Sequence, residues 1–383
     1  MTIKPVLLWS DALILLLLLT VAALVWLARK NDTFRAPWRQ VMASRMGSAT
    51  ALILAVYAGI GLLDSMHYVE RLPSAPGQQA QYSGEVFSAL DALLKPLRVN
   101  VEKTYSAPLA THLYAKETVQ GPDGVERRDY PPLKHPGSHL LGTDKVGQDV
   151  LYLSLKSIRT GLLIGTLTTL IMLPFALALG IAAGYFGGRI DDAIQYLYTT
   201  LNSIPGVLLI AAAVLVVQVQ IEAHAELFDT AAARSDVRLL ALCAILGVTG
   251  WTGLARLLRA EALKLRELEF VQAARAFGVT DARILLRHLL PNVMHLVLIT
   301  VVIDFSGLVL AEAVLSYVGV GVDPGMISFG NMINGARLEL AREPVVWWQL
   351  AAAFVFMFVL VLAANLFADQ VRDALDPKSR GRK

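Results

Sequence analysis

Residues 268–291 read Leu-Glu-Phe-Val-Gln-Ala-Ala-Arg-Ala-Phe-Gly-Val-Thr-Asp-Ala-Arg-Ile-Leu-Leu-Arg-His-Leu-Leu-Pro, a polar and basic stretch between two strongly apolar segments. Four residues in it recur at helical spacing and predict a short helix with one narrow apolar face: Phe270, Ala273, Ala274 and Phe277. Gly278 stands where a left-handed cap would end this helix, and Thr280 or Asp281 can begin a second one. Such a helix suits either docking of another protein or burial of its Phe side chains among lipid headgroups, and the stretch alone favours neither.

The composition of the whole chain indicates a polytopic, all-α membrane protein. The chain has 383 residues, 55% hydrophobic and 17% charged, with a mean hydropathy of +0.55. A soluble domain carries about 25% charged residues, and several runs here reach the roughly 20 apolar residues that cross a bilayer. We therefore predict about seven spans, near residues 7–28, 48–66, 160–186, 203–219, 237–255, 293–318 and 347–367.

The distribution of Lys and Arg predicts the orientation of these spans, because cytoplasmic loops are enriched in both. The loop between the first two spans has five basic residues against one acid, and residues 256–287 have seven against four. Both loops and the basic C-terminal tail are therefore expected in the cytoplasm. The N-terminus, residues 67–159 and residues 220–236 are expected outside. The first span lacks an A-x-A-like cleavage site, so we expect it to be retained.

The third predicted span has small residues at every fourth position: Ala176, Gly180, Gly184 and Gly188. They share one helix face and predict a seam at which another helix packs closely. Pro174 is expected to kink or loosen the same span. Residues 191–205 are expected to form a short helix on the inner surface.

Seven residues of the opening stretch stand as in the "EAA" loop of ABC-transporter permeases, which the stretch resembles: Glu269, Phe270, Ala273, Ala274, Gly278, Leu290 and Pro291. Gln272 differs, because the family usually has Glu there. The family resemblance favours docking of an ATPase over burial in lipid headgroups.

Five further segments resemble the dipeptide, oligopeptide and nickel permeases. They are His139–Asp149 ("GTDxxGRD"), Ala183–Gly188 with Asp191 ("AGYxGGxxD"), Glu312–Gly321 ("ExxLSFLGLG"), Ser328–Gly330 (usually Ser-Trp-Gly) and Asn365–Pro377 ("NLxxDxxRDxLDP"). Gln148 departs from the usual Arg. The resemblance covers roughly residues 135–378 and is to the second permease of such importers, the one with a "GTD" segment and an "LDP" tail.

The resemblance implies the transmembrane domain of a type I ABC importer in a bacterial inner membrane. Its implied partners are a second homologous permease, one or two ABC ATPase subunits and a periplasmic or lipid-anchored binding protein, besides membrane lipids. In the implied coupling helix, Phe270 and Phe277 make the mechanical contacts, Glu269 and Arg275 orient it, and Gly278 caps it. Ala273, Ala274 and Pro291 complete the predicted coupling site.

The expected organisation has four parts. Residues 1–66 hold two transmembrane helices and a basic cytoplasmic loop, and residues 67–158 form an external segment rich in Pro and Gly. That segment is a small cap or partner contact, or a tether without a specific role, and only short helices such as residues 85–97 are expected in it. Residues 159–369 form the permease domain, with the coupling loop at 256–292, and residues 370–383 form a cytoplasmic tail.

Enzymatic and cofactor functions find little support in the sequence. Gly142–Gly147 has glycine spacing like a Walker A motif, but Gln148-Asp149 replaces the required Lys-Ser/Thr, so ATP hydrolysis is assigned to a partner. Neither a cofactor nor a metal is expected, because the histidines lack paired metal-ligand spacing. His139 is expected to be solvated, although nickel handling through His135 or His139 stays conceivable. A net charge of +3 is too small to argue for nucleic acid.

Ionisable residues inside spans are candidates for function by default. Asp304 and Glu312 lie eight residues apart in one span and could line a transport pathway or form a proton relay. The alternative function is therefore a stand-alone ion- or proton-coupled carrier that uses both residues. Structural satisfaction by Ser306, Ser316 or a neighbouring helix is the plainer interpretation. Asp11 and Asp64 lie near span ends and are expected to reach water.

Overall fold

A computed structural model describes residues 3–28, 32–72, 81–120, 126–228 and 230–375. Helices dominate this part of the chain. They are α1 (Trp9–Ala28), α2 (Asp32–Ala43), α3 (Arg45–Asp64), α4 (Ala89–Leu93), α5 (Lys95–Val99), α6 (Val150–Phe186), α7 (Gly188–Ser203), α8 (Gly206–Ala223), α9 (Ala231–Gly250), α10 (Thr252–Leu265), α11 (Glu269–Ala276), α12 (Asp281–Ile284), α13 (Leu290–Val318), α14 (Phe329–Ala336) and α15 (Trp348–Leu375). One turn of π-helix, Leu285–Leu289, joins α12 to α13.

Within the described residues, six helical stretches are long and apolar enough to cross a membrane: Arg45–Asp64, Val150–Phe186, Gly206–Ala223, Ala231–Leu265, Asp281–Val318 and Trp348–Ala374. They coincide with six of the seven predicted spans, and the all-α class is confirmed. The remaining prediction, residues 7–28, falls on α1. This helix has 20 residues, but its described apolar part is Trp9–Thr20, so the seventh span stays a prediction.

Several helices are longer than the apolar runs that predicted them. Residues 160–186 belong to α6, which has 37 residues, begins at Val150 and stays helical through Pro174. The predicted inner-surface helix is α7. The basic loop after the first span, which was not predicted to be helical, contains α2. The hydroxyl of Ser44, after α2, donates to Gln370 of α15 at 2.8 Å, so this loop and the C-terminal end of α15 lie on one side, as the predicted topology requires.

Two small antiparallel sheets were not predicted. In one, β1 (Ile3–Pro5) pairs with β2 (His67–Glu70), which pairs with β3 (Phe87–Ser88). The other is a hairpin of β4 (Glu117–Gln120) and β5 (Glu126–Asp129). Strands of two to four residues are too short to produce a readable alternation. The β1–β2 pairing brings the N-terminus to the residues that follow α3, which agrees with the prediction that both lie outside.

Close to the β1–β2–β3 sheet, a buried polar cluster holds α1 against α6 and α9. Arg159 of α6 donates through Nη2 to a carboxylate oxygen of Asp11 and to the hydroxyl of Ser10, each at 2.7 Å. The Nδ1 of His67 lies 2.7 Å from the other oxygen of Asp11, and the backbone N–H of Ser10 donates to Asp236 of α9 at 2.9 Å. A charge removed from water needs such partners. The cluster therefore binds α1 to α6 and α9.

Asp11 and Asp64 do not reach water, contrary to expectation, because both side chains are buried. Asp64 accepts a hydrogen bond from Ser88 at 2.7 Å and lies 3.1 Å from the ammonium of Lys156. The sequence places both carboxylates near span ends, but it does not reveal the external segment that covers them.

The predicted seam of small residues is confirmed at Gly180 and Gly184, which pack against α10. A Cβ on Gly180 would lie 2.7 Å from the carbonyl oxygen of Ala255, and one on Gly184 would lie 2.5 Å from that of Arg259. The helices therefore touch backbone to backbone, the approach that small residues permit in membranes. Gly188 is not part of the seam, because a Cβ there would meet open space.

We predict that Gly184→Ala lowers the thermal unfolding temperature of the protein in detergent. The added methyl meets the backbone of α10, which cannot rotate aside, and overpacking of this kind costs about 1–3 kcal/mol. Gly253→Ala is the matched control, because Gly253 is also helical and a Cβ there meets nothing within 4 Å. Equal unfolding temperatures for the two variants would contradict the seam.

Candidate functional site: the loop between α10 and α13

The predicted apolar face of α11 is divided between the protein interior and the surface. Val271 is 1% exposed, and Ala274 packs beside it against a core formed by α6, α10 and α13. Phe270 is 43% exposed and Phe277 is 89% exposed. Ala274, which was predicted on the same face, is half-buried beside Val271, and its part in docking stays a prediction. The burial of Val271 was not predicted, although its spacing of three from Ala274 places both residues on one face of the helix.

Gly278 ends α11 as predicted. Its φ is +76°, a conformation that residues with a Cβ avoid. The N–H of Gly278 donates to the carbonyl of Arg275 and the N–H of Val279 to that of Ala274, each at 3.0 Å. These two bonds form a Schellman motif, which fixes the direction of the chain as it leaves α11.

The remaining predicted residues of the loop are accessible. Glu269 lies exposed in the first turn of α11, where a carboxylate is favoured by the helix dipole. Pro291 is exposed at the start of α13, directly after the π-helical turn. Gln272, which replaces the usual Glu, donates from its side chain to the backbone carbonyl of Glu267 at 3.0 Å. The Gln therefore supports the turn that precedes α11.

Arg275 does not extend freely into solvent. Its guanidinium lies 4.9 Å from the ring centre of Tyr185, at the end of α6. The hydroxyl of Tyr185 donates to Asp281, the first residue of α12, at 2.5 Å. A role for Tyr185 could not be predicted from the sequence, because its partners Arg275 and Asp281 lie 90 and 96 residues further along the chain.

A second connection joins α10 to the inner-surface helix α7. Arg259 donates through Nε and Nη2 to the two carboxylate oxygens of Asp191 at 2.5 and 2.6 Å. These hydrogen bonds hold the pKa of Asp191 below its usual value. A bidentate pair of this kind fixes orientation as well as distance, so α7 and α10 are held together at the base of the loop.

The structure separates the two candidate pathway residues. Glu312 is 1% exposed and accepts hydrogen bonds from the hydroxyls of Ser316 at 2.7 Å and Ser328 at 2.9 Å. Asp304 is half-buried, and eight residues of helix place it about 12 Å away along the axis. Ser306 bonds to Asn365 instead. Glu312 is thus satisfied locally, as the plainer interpretation held, and a pathway role for either residue stays a prediction.

His139 is buried, contrary to the expectation that it is solvated. It is 2% exposed, and its Nδ1 lies 2.9 Å from a carboxylate oxygen of Asp149. Asp149 in turn caps α6 by accepting from the N–H groups of Leu151 and Tyr152. The described residues contain no group of three or more His, Cys, Asp or Glu side chains placed to hold a metal ion.

The loop lies within the part of the chain that matches a known protein family. The model of the family "Binding-protein-dependent transport system inner membrane component" matches residues 176–381. The chain is 33% identical over 249 residues to the oligopeptide transport system permease protein OppC of Mycobacterium tuberculosis, an alignment that covers 65% of this chain and 79% of that protein. It is 29% identical over 261 residues to the dipeptide transport system permease protein DppC of Bacillus subtilis, covering 68% and 75%.

Two further similarities extend this set. The chain is 32% identical over 241 residues to the glutathione transport system permease protein GsiD of Pectobacterium atrosepticum, covering 63% of this chain and 73% of that protein. Among solved structures, an inward-facing conformation of the MetNI methionine ABC transporter is similar with a TM-score of 0.45 and 16% identity, over 59% of this chain and 98% of that chain.

We predict that Gly278→Ala loosens α11. A residue with a Cβ in the left-handed conformation costs about 1–2 kcal/mol. Amide exchange at Phe277 and Val279, whose N–H groups bond within the last turn of α11, should therefore accelerate by about tenfold. Gly206→Ala, at a helical position with open space around the new Cβ, should leave exchange at these amides unchanged. Unaltered exchange in Gly278→Ala would contradict the role of the cap.

Proposed function

The chain belongs to the family of binding-protein-dependent transport system inner membrane components, and on that premise we propose that it forms, with a second permease, the translocation path for peptides or similar small solutes. ATP hydrolysis by separate ATPase subunits drives the import. The exposed part of α11 is the surface on which an ATPase docks. A periplasmic or lipid-anchored binding protein delivers the solute to the opposite face, and the membrane is the bacterial inner membrane.

Family membership confirms the prediction of a permease subunit of an ABC importer and decides against a stand-alone carrier. The chain is a multi-pass membrane protein, as its apolar helices indicate. Glu312, one of the two carboxylates on which the carrier would depend, is enclosed by hydroxyl donors.

The exposure of Phe277 is the observation that carries the docking proposal. An aromatic side chain that is 89% exposed leaves apolar area in water that a partner can cover. The patch of Phe270, Ala273 and Phe277 is narrow and borders the exposed polar residues Glu269 and Gln272. An amphipathic helix of this kind could also lie in lipid headgroups, and membership of the permease family favours a protein partner instead.

The rigidity of the loop supports a mechanical role. The Gly278 cap, the Val271 contact and the Tyr185–Asp281 bond fix α11 relative to α6, α10 and α12. When two ATPase subunits close on ATP, α11 moves as a unit and biases the membrane helices between inward-open and outward-open arrangements. The loaded binding protein biases the same equilibrium from the other side.

The proposed class of solute rests on the relatives. OppC, DppC and GsiD are named for the transport of oligopeptides, dipeptides and glutathione. These solutes share peptide bonds and charged termini, so a peptide-like solute is the proposal for this chain. Identification of the ligand that copurifies with the associated binding protein tests it, and a ligand without a peptide bond would contradict it.

We predict that Phe277→Asp abolishes association with the ATPase but leaves the protein inserted and folded. The side chain is almost fully exposed, so its replacement costs the isolated subunit little. Loss of a central aromatic contact typically costs at least 2 kcal/mol, or roughly thirtyfold in affinity. The measurement is recovery of the ATPase with the tagged permease in mild detergent.

Leu227→Asp is the matched control, because Leu227 is a 72% exposed apolar residue on the face predicted to be external. This variant should recover the ATPase as the wild type does. Normal recovery with Phe277→Asp would refute docking at α11. Wild-type protein that transports solute without ATP would refute the proposed function as a whole.

A further inference from the structure

We propose that Tyr185 is a positioning residue for coupling, the latch through which movement of α11 reaches α6. The inference rests on the proposed function, since it assumes that an ATPase moves α11. It assigns a transmission role to a residue that does not contact the ATPase-docking patch of Phe270 and Phe277.

The contacts of Tyr185 lie on both sides of the Gly278 turn. The guanidinium of Arg275, in the last turn of α11, lies 4.9 Å from the centre of its ring. Its hydroxyl donates to the carboxylate of Asp281, at the start of α12, at 2.5 Å. One side chain of α6 therefore holds both elements that meet at the Gly278 cap.

The backbone around Tyr185 is fixed, so force on the side chain is passed to the helix. Tyr185 is 1% exposed, and its neighbour Gly184 packs against the backbone of α10. Arg266, just after α10, donates to the carbonyl of Gly184 at 3.2 Å. Because this end of α6 is not free to move, a displacement of α11 is passed on to the rest of α6.

Helix α6 extends from this latch to the opposite face of the protein. Its 37 residues correspond to a length of about 55 Å. At the far end Asp149 caps the helix and holds His139, and Arg159 holds Asp11 of α1. A movement delivered to Tyr185 therefore acts on the helix that also organises the predicted external face.

The hydroxyl of Tyr185 is dispensable for the shape of α11. The Schellman bonds of Gly278 and Val279 and the burial of Val271 hold that helix without it. Asp281 is exposed, so its carboxylate can bond to water when the hydroxyl is removed. Deletion of the hydroxyl thus separates transmission from folding.

The test is Tyr185→Phe in the assembled transporter, reconstituted with its ATPases and binding protein. The ring remains beside the guanidinium of Arg275, and the interactions of the hydroxyl with Asp281 and Arg275 are lost. We expect recovery of the ATPase with the permease, and solute transported per ATP hydrolysed that is lower by roughly tenfold, the effect of losing a hydrogen bond to a charged group. Asp281→Ala should lower the ratio similarly, and the double variant should be no worse than either single one.

Tyr57→Phe is the matched control. Tyr57 is also buried, and its hydroxyl donates to the carbonyl of Phe356 at 2.9 Å, far from the loop in sequence and in another core cluster. Its ratio of transport to hydrolysis should equal that of the wild type. If Tyr185→Phe does not assemble with the ATPase, the solute transported per ATP hydrolysed by Asp281→Ala tests the proposal instead.

The outcomes separate the two proposals. An unchanged ratio in both Tyr185→Phe and Asp281→Ala overturns the latch, and so does a lower yield of complex with an unchanged ratio, which is what a purely structural role produces. If the wild-type chain recovers no ATPase, the proposed function fails instead.

Discussion

The close approach of α6 to α10 at Gly180 and Gly184 is the contact on which the half of the protein that carries the α10–α13 loop depends. Between helices in lipid there is little hydrophobic driving force, so van der Waals contact and hydrogen bonds must supply the stabilisation. The absence of a Cβ at both glycines lets the backbones touch. Only at that separation can Arg266 reach the carbonyl of Gly184 and Tyr185 reach Asp281 beneath the Gly278 turn.

The opposite end of the protein is held by a different kind of interaction. There, Arg159, Asp11 and Asp236 are buried together with His67 and serine hydroxyls. Breaking a buried pair by removing one partner costs several kcal/mol, because the remaining charge has no water to turn to. Charge pairing therefore fixes α1 and the small β1–β2–β3 sheet to α6, and hydrogen bonds from Ser10 fix α1 to α9, whereas close packing fixes the loop between α10 and α13.

Local patterns in the sequence predicted most of the helices and part of the site. Six spans follow from hydropathy, and the cap at Gly278 follows from its place after a short amphipathic run. What could not be predicted depends on contacts between distant residues. The pairing of β1 with β2, the burial of Asp11 and Asp64, and the contacts of Tyr185 each require partners that are distant in the sequence. The inward turn of Ala274 is different, since the alternative face through Val271 was already readable from helical spacing.

The loop between α10 and α13 combines two requirements that usually oppose each other. A docking surface needs exposed apolar side chains, whereas transmission of force needs a helix that does not deform. In α11 the exposed Phe277 meets the first requirement, but only Val271 is fully buried, so the hydrophobic core contributes little to the second. Rigidity must then come mostly from polar geometry: the two Schellman bonds at Gly278 and the Gln272 bond to Glu267. These bonds are directional, and they can hold a small helix in one orientation while its apolar face stays free for a partner. In the proposed function, these bonds allow the loop to transmit the movement of the ATPase to α6 without itself deforming.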